Sequence, residues 1–264
     1  MKIVNRSGIP DALFRYLTRD DYDYQSKGDS FSVTELLNPV QMILLKRRYW
    51  SQIETDAIDR LWILLGSGVH AILEKEPGIE KIERLRTEVL GRTVSGRFDR
   101  IFNGEITDYK VTSAWTLVYG SRDEEWMMQL SLYRWLYFRQ KGVKLSDTGY
   151  IVALLRDWSE KNTAPLKSGK ENRYPKAPAI QLDFKLKSIK ETESWVTDKM
   201  RQIIQAEGSP DNSLPACTDE ERWFQREKQT YMRCQKYCEA RAFCWQVKTE
   251  NEFLAIPDAD EVLA

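Results

Sequence analysis

The chain has 264 residues, 40 acidic and 40 basic side chains, and 42% hydrophobic residues. That length and balance fit a water-soluble protein with one good core and helical extensions, not a disordered chain. Zero net charge argues against a generally basic nucleic-acid coat but leaves room for a local basic groove. The most apolar stretch, residues 61–73, is too short to span a membrane, and the first ten residues lack the apolar run of a secretory signal, so a cytoplasmic protein is expected.

The first 30 residues are polar, with an acidic, tyrosine-bearing stretch at 20–24, and read as a loosely packed arm. Ser32-Val33-Thr34-Glu35 resembles a capping box, and Pro39 ends that short helix or opens the next. Residues 42–65 place Ile43, Leu44, Ile53, Ala57, Leu61 and Leu64 at helical spacing. Gly66 and Gly68 then predict an interruption, with a further helix from about Val69. Residues 85–90, 93–102 and 105–112 read as three short strands separated by Gly91-Arg92 and Asn103-Gly104, an antiparallel meander. Residues 126–140 return to helical spacing, and 148–156 read as a buried strand. A polar loop follows, containing Lys161, Lys167, Lys170, Arg173 and Lys176. Residues 179–186 alternate as a strand, and 187–207 form an amphipathic helix.

A two-residue Asn103-Gly104 turn pairs positions that sum to 207, so Asp99 falls opposite Asp108. Side chains directly opposite lie about 4.5–5.5 Å apart at Cβ, where two carboxylates repel unless a divalent cation sits between them. Lys110 shares the face of Asp108, where it can orient a water and stabilise charge growing on a phosphate. The backbone carbonyl of Tyr109 is a further oxygen donor. Spacing alone equally allows a solvated ion pair on a strand face. His70, the single histidine, is a metal-ligand candidate whose imidazole suits Mn²⁺ better than Mg²⁺, although a lone histidine is more often a surface residue. Glu74 lies one turn on. Glu88 is a weak third carboxylate: a Gly91-Arg92 turn sets it opposite Ser95, on the order of 13 Å from Asp99.

All four cysteines fall in the tail, spaced Cys217-x16-Cys234-x3-Cys238-x5-Cys244. In a cytoplasmic protein such a set points to a tetrathiolate metal site rather than disulfides, with ordinary buried thiols as the alternative. Lys46-Arg47-Arg48 and the 161–176 loop are candidate basic surfaces for phosphate. Among nine tryptophans, Trp115, Trp126 and Trp135 are candidates for stacking on an unpaired base.

Gly96-Arg97-Phe98-Asp99, Ile106-Thr107-Asp108-Tyr109-Lys110 and Gln129-Leu130-Ser131-Leu132-Tyr133, preceded by His70, resemble the PD-(D/E)XK nuclease superfamily. The nearest branch is that of the RecB-like and Cas4-like exonucleases, phage-encoded members included. Its histidine, G-x-x-D, (D/E)-x-K and Q-x-x-x-Y elements occur here in order over residues 66–135. The resemblance implies an α/β fold: a restriction-endonuclease-like core whose central mixed sheet starts as an antiparallel meander, flanked by helices, with N-terminal helices and a Cys-rich C-terminal tail. Expected boundaries are 1–80 for the arm and helical region, 81–187 for the nuclease core carrying the His70 helix, and 188–264 for the last helix and cysteines, packed as one compact unit.

By the same resemblance, His70, Asp99, Asp108 and the Tyr109 carbonyl bind Mg²⁺ or Mn²⁺, Lys110 is catalytic, and Gln129 and Tyr133 contact DNA and support the site. The implied activity is metal-dependent DNA hydrolysis by an exonuclease acting on single strands or duplex ends, in a bacterial, archaeal or phage-infected cell. Recombination, replication or spacer-acquisition proteins are the implied partners. The alternative is a non-catalytic nuclease-like DNA-binding or assembly module. Members of this branch hold a [4Fe-4S] cluster on cysteines ending in C-x2-C-x5-C with the first cysteine upstream of the core. Here the last gap fits, the middle gap is three, and Cys217 lies downstream, so [4Fe-4S] is only slightly favoured over Zn²⁺.

Overall fold

The computed structural model describes residues 1–18, 29–73, 75, 83–165 and 171–249. In chain order these form β1 (Lys2–Val4), α1 (Asp11–Thr18), β2 (Ser30–Ser32), α2 (Val33–Leu36), α3 (Val40–Arg48), β3 (Glu54–Asp56) and α4 (Leu61–Leu73). Next come β4 (Leu85–Val89), β5 (Arg92–Gly96), β6 (Arg100–Phe102), β7 (Glu105–Thr112), α5 (Ala114–Val118), α6 (Asp123–Lys141), β8 (Thr148–Leu155) and β9 (Ala179–Lys185). The chain closes with α7 (Ile189–Glu207), α8 (Asp219–Arg222), β10 (Phe224–Gln225), β11 (Thr230–Tyr231) and α9 (Trp245–Thr249). Among the described residues no helix is long and apolar enough to cross a membrane.

Two compact units emerge: Met1–Asp21, Asn38–Asp59 and Asp198–Ala264 make one, and Tyr22–Leu37 with Arg60–Thr197 make the other. Boundaries near 80 and 187 cut across this division. In the first unit part of the expected arm forms a strand and a helix, β1 and α1, while its acidic stretch at 20–24 lies outside the described residues. β1 runs parallel to β3, Lys2 opposite Glu54. That pairing also explains why residues 42–65 are not one helix. α3 stops at Arg48, Tyr49 stacks on Phe243 with ring centroids 4.1 Å apart, and Ile53 is buried. Strand pairing to a distant segment outweighs local helix preference. Pro39 opens α3, and Val40, Ile43, Leu44 and Leu45 bury in the same unit as Met200 and Ile203 of α7. A further expected break is absent: α4 runs straight through Gly66 and Gly68, each tolerated at about 1 kcal/mol relative to alanine.

The second unit holds two sheets, β2-β5-β4 and β6-β7-β8-β9. The expected strand over 93–102 is split into β5 and β6, so the meander is two hairpins in separate sheets. The cause lies at residues 96–98. Phe98 is 1% exposed, its ring 5.7 Å from Tyr133 and 6.1 Å from Tyr137, and the backbone leaves the ladder to bury it. β6 and β7 pair antiparallel with Phe102 opposite Glu105 and Arg100 opposite Thr107, the register set by the Asn103-Gly104 turn. Both turn residues have positive φ, 51° and 77°, as a type I′ turn requires. The preceding turn differs from the expected one. It uses Leu90-Gly91, with φ of 51° and 75°, because a type I′ turn takes glycine at its second central position. The pairing moves accordingly, and Glu88 faces Thr93 rather than Ser95.

β8 lies parallel to β7, and β9 antiparallel to β8, which makes the sheet mixed. α5 and α6 form the crossover between the parallel pair. α6 buries Met128, Leu130, Leu132, Tyr133, Trp135 and Leu136 around most of its circumference. Full burial of each such large apolar side chain contributes roughly 1.5–3 kcal/mol. Arg134, 2% exposed, survives there because it donates to the carbonyls of Leu145 and Lys187, both at 3.1 Å. The helix ends at Gly142 in the left-handed conformation, the usual glycine stop. Ser32 opens α2 by accepting from the Glu35 N–H at 3.0 Å.

Candidate active site and thiol cluster

Three elements of the second unit bring four ionisable groups together. α4, which lies against β7, supplies His70. The link between β5 and β6 supplies Asp99, and β7 supplies Asp108 and Lys110. His70 Nδ1 is 2.8 Å from Asp99 Oδ1, and the other Asp99 oxygen accepts the Tyr109 N–H at 2.6 Å. Asp99 therefore sits just past the end of the β6–β7 ladder and is held to β7 by a backbone donor. Asp108 is 4% exposed. Lys110 Nζ lies 2.6 Å from Asp108 Oδ2, so the buried carboxylate is held in an ion pair.

The electrostatics follow from this packing. The Asp99 hydrogen bond holds His70 above the ordinary histidine range against the opposing effect of burial, and Asp108 and Lys110 both act on it. Burial pushes the Asp108 carboxyl up, opposed first by the charge of Lys110 and reinforced by Asp99. The four groups thus share one field. Lys110 supplies positive charge directly beside the buried Asp108 carboxylate. Two carboxylates and an imidazole are donor types that can bind Mg²⁺ or Mn²⁺.

Gln129 and Tyr133 lie one turn apart on α6, and Gln129 Nε2 donates to the Tyr133 hydroxyl at 3.1 Å. Both are buried. Tyr133 packs against Gly96, where an added Cβ would sit 2.8 Å from the ring and 2.9 Å from Val33. The pair thus supports the backbone leading to Asp99. Glu88 is exposed on β4 and is not among the groups that act on His70 or Asp108. Glu74, Lys167 and Lys170 lie outside the described residues. Lys46 pairs with Glu239, and Arg48 with Asp211 at 2.5 Å and with the Glu207 carbonyl; two of those three basic side chains serve their own unit. Trp126 and Trp135 are buried, whereas Trp115 is exposed beside Tyr119, ring centroids 6.1 Å apart. Sequence reading missed Trp62, exposed on α4 with the Arg156 guanidinium 4.3 Å above its ring. Its place on a strongly apolar stretch pointed to burial.

In the first unit Cys217, Cys234, Cys238 and Cys244 line one small cavity together with Arg222 and Arg233. None is in a disulfide. Burial pushes the Cys217 thiol up to about 12, with each of the other three thiols adding to the push, and raises Cys238 to about 11. Gln246 fastens the Cys217 backbone at both ends, accepting from its N–H at 2.8 Å and donating to its carbonyl at 3.1 Å. Gln41 of α3, also lining the cavity, went unnoticed in the sequence; its signal is a single amide within Val40-Gln41-Met42-Ile43-Leu44-Leu45. Among the described residues no three His, Cys, Asp or Glu side chains are drawn together closely enough to hold a metal ion as they stand.

The family model for the PD-(D/E)XK nuclease superfamily matches residues 20–245. No curated protein matches the sequence. A solved structure titled "Crystal structure of SSO0001" is similar at a TM-score of 0.47 and 16% identity, covering 88% of this chain and 92% of that one, a likeness too slight to argue from.

Proposed function

Because the chain belongs to the PD-(D/E)XK nuclease superfamily, we propose that it is a metal-dependent deoxyribonuclease, an exonuclease of the RecB-like and Cas4-like type. The observation that carries this reading is the buried Asp108 carboxylate, ion-paired to Lys110 and sharing one field with Asp99 and His70. Two carboxylates drawn into one field are a poor structural choice, whereas with a divalent cation they become a ligand set. His70, Asp99, Asp108 and the Tyr109 carbonyl would hold Mg²⁺ or Mn²⁺. When bound, the cation supplies Lewis acidity at the phosphate and offsets the charge of the leaving oxygen.

The chain's own groups do the rest. Lys110 hydrogen-bonds the attacking water and stabilises the charge that grows as the water oxygen bonds to phosphorus and the sugar oxygen departs. Asp99, held by the Tyr109 N–H, keeps His70 oriented. Gln129 and Tyr133 keep the backbone before Asp99 in place. The exposed Trp115–Tyr119 pair offers a face for unpaired bases, which favours single strands or frayed duplex ends. The four thiols form a structural site for a [4Fe-4S] cluster or Zn²⁺ that ties the C-terminal segment down.

The test is cleavage of end-labelled single- and double-stranded DNA by purified full-length protein, with and without Mn²⁺. Lys110→Ala is expected to lose at least ~100-fold in rate, the scale of removing one charge-stabilising donor, with unchanged circular dichroism. A Lys110→Ala variant that cuts as fast as the parent contradicts the mechanism.

A further inference from the structure

Gln41 is 1% exposed on a helix whose neighbouring core positions are apolar. Its side-chain oxygen accepts from Cys244 Sγ at 3.1 Å and from Cys217 Sγ at 3.5 Å, while its Nε2 is buried without a hydrogen-bond partner. An unmade buried N–H bond is costly, so in this orientation the amide is a poor choice beside a leucine. The cost is explained if the sulfurs are thiolates. An oxygen facing a thiolate is repelled, and a half-turn of the terminal group places the two N–H donors on sulfur instead. Only an oxygen is then unpaired, the cheaper of the two omissions, and bonds to a charged acceptor are the stronger kind.

The surroundings fit the same charge state. Four thiolates around a dication leave two net negative charges, and Arg222 and Arg233 line the cavity.

We infer that Gln41 is a positioning residue for the cysteine site, donating its amide N–H groups to the Cys217 and Cys244 sulfurs when metal is held and so strengthening retention of that metal. The inference rests on the four-thiol reading above. Such outer partners of metal ligands typically change affinity 10–100-fold.

The experiment titrates Co²⁺ into reduced, metal-stripped full-length protein, following the sulfur-to-metal absorption band and competition with a chelator. Gln41→Met, apolar and similar in volume, is expected to weaken binding about 10-fold, and Gln41→Glu, which replaces the donor by a charged acceptor, about 100-fold. Both should shift the absorption band. Metal-free Gln41→Met should melt no lower than the parent, since it removes an unpaired buried amide; a merely structural Gln41 would show its loss there. Variants that bind Co²⁺ as tightly as the parent, with an unshifted band, overturn the role of Gln41. A parent that gives no thiolate band at all, or Cys234→Ser and Cys244→Ser variants that bind like the parent, overturns the four-thiol reading and this inference with it.

Discussion

Replacing Gly96 by alanine adds one methyl group at the point where β5 meets α6. The new Cβ would lie 2.8 Å from Tyr133 Cε1, 3.2 Å from Tyr133 Cδ1 and 2.9 Å from Val33 Cγ2. Ordinary carbon contacts fall near 3.5–4.0 Å, so both neighbours must yield by about half an ångström or more. Neither has room: Val33 is 1% exposed, and Tyr133 is 4% exposed with Phe98 packed near it. Overpacking of this kind costs about 1–3 kcal/mol, which for a protein of this size lowers the melting temperature by roughly 2–4 °C per kcal/mol.

The control is Gly66→Ala. It has the same chemistry within α4, where an added Cβ meets nothing within 4 Å. It should stabilise by up to about 1 kcal/mol through helix propensity. Thermal melts followed by circular dichroism measure both. In a Tyr133→Ala background the Gly96→Ala cost should fall by at least about 1 kcal/mol, since the nearest ring atoms are gone. Gly96→Ala melting with the parent, or a cost unchanged in that background, would falsify the account that the Tyr133 ring excludes a side chain at position 96.

Gly104→Val should destabilise by about 1–2 kcal/mol, because the residue holds φ of 77° in a region that costs side-chain-bearing residues that much; urea melts give the value. Asp211 is held below the ordinary aspartate range first by the Tyr49 hydroxyl and then, against burial, by Arg48. A depressed folded value means stability that is present above the unfolded value, about 3.9, and lost as pH falls through the folded value. Tyr49→Phe should therefore melt closer to the parent at pH 3 than at pH 6. The gap will be small, because both side chains of the Arg48–Asp211 pair are partly exposed and screened. Equal gaps at the two pH values would refute it.

Local chemistry made several features legible without a structure. Asn103-Gly104 needs two residues of positive φ, so it sets a type I′ turn and the register of β6 on β7 as far as Arg100 opposite Thr107. The alternation along β9 is equally local. Other features depended on partners far away in the chain. Residues 42–65 repeat at helical spacing, yet β3 forms because β1 pairs with it. Residues 93–102 look like one strand, yet burying Phe98 against α6 splits them and turns Asp99 from a paired strand residue into a ligand-like side chain held by the Tyr109 N–H. Gly96 carries no signal beyond its motif, because the reason for it is the Tyr133 ring on another element. Gln41 is the sharpest case: sequence shows one amide in an apolar helix, and only the fold puts it against two sulfurs from a segment more than 170 residues away. Turn and cap chemistry acts between neighbours and can be read along the chain, whereas desolvation, close approach and charge pairing act between surfaces that exist only once the chain has folded.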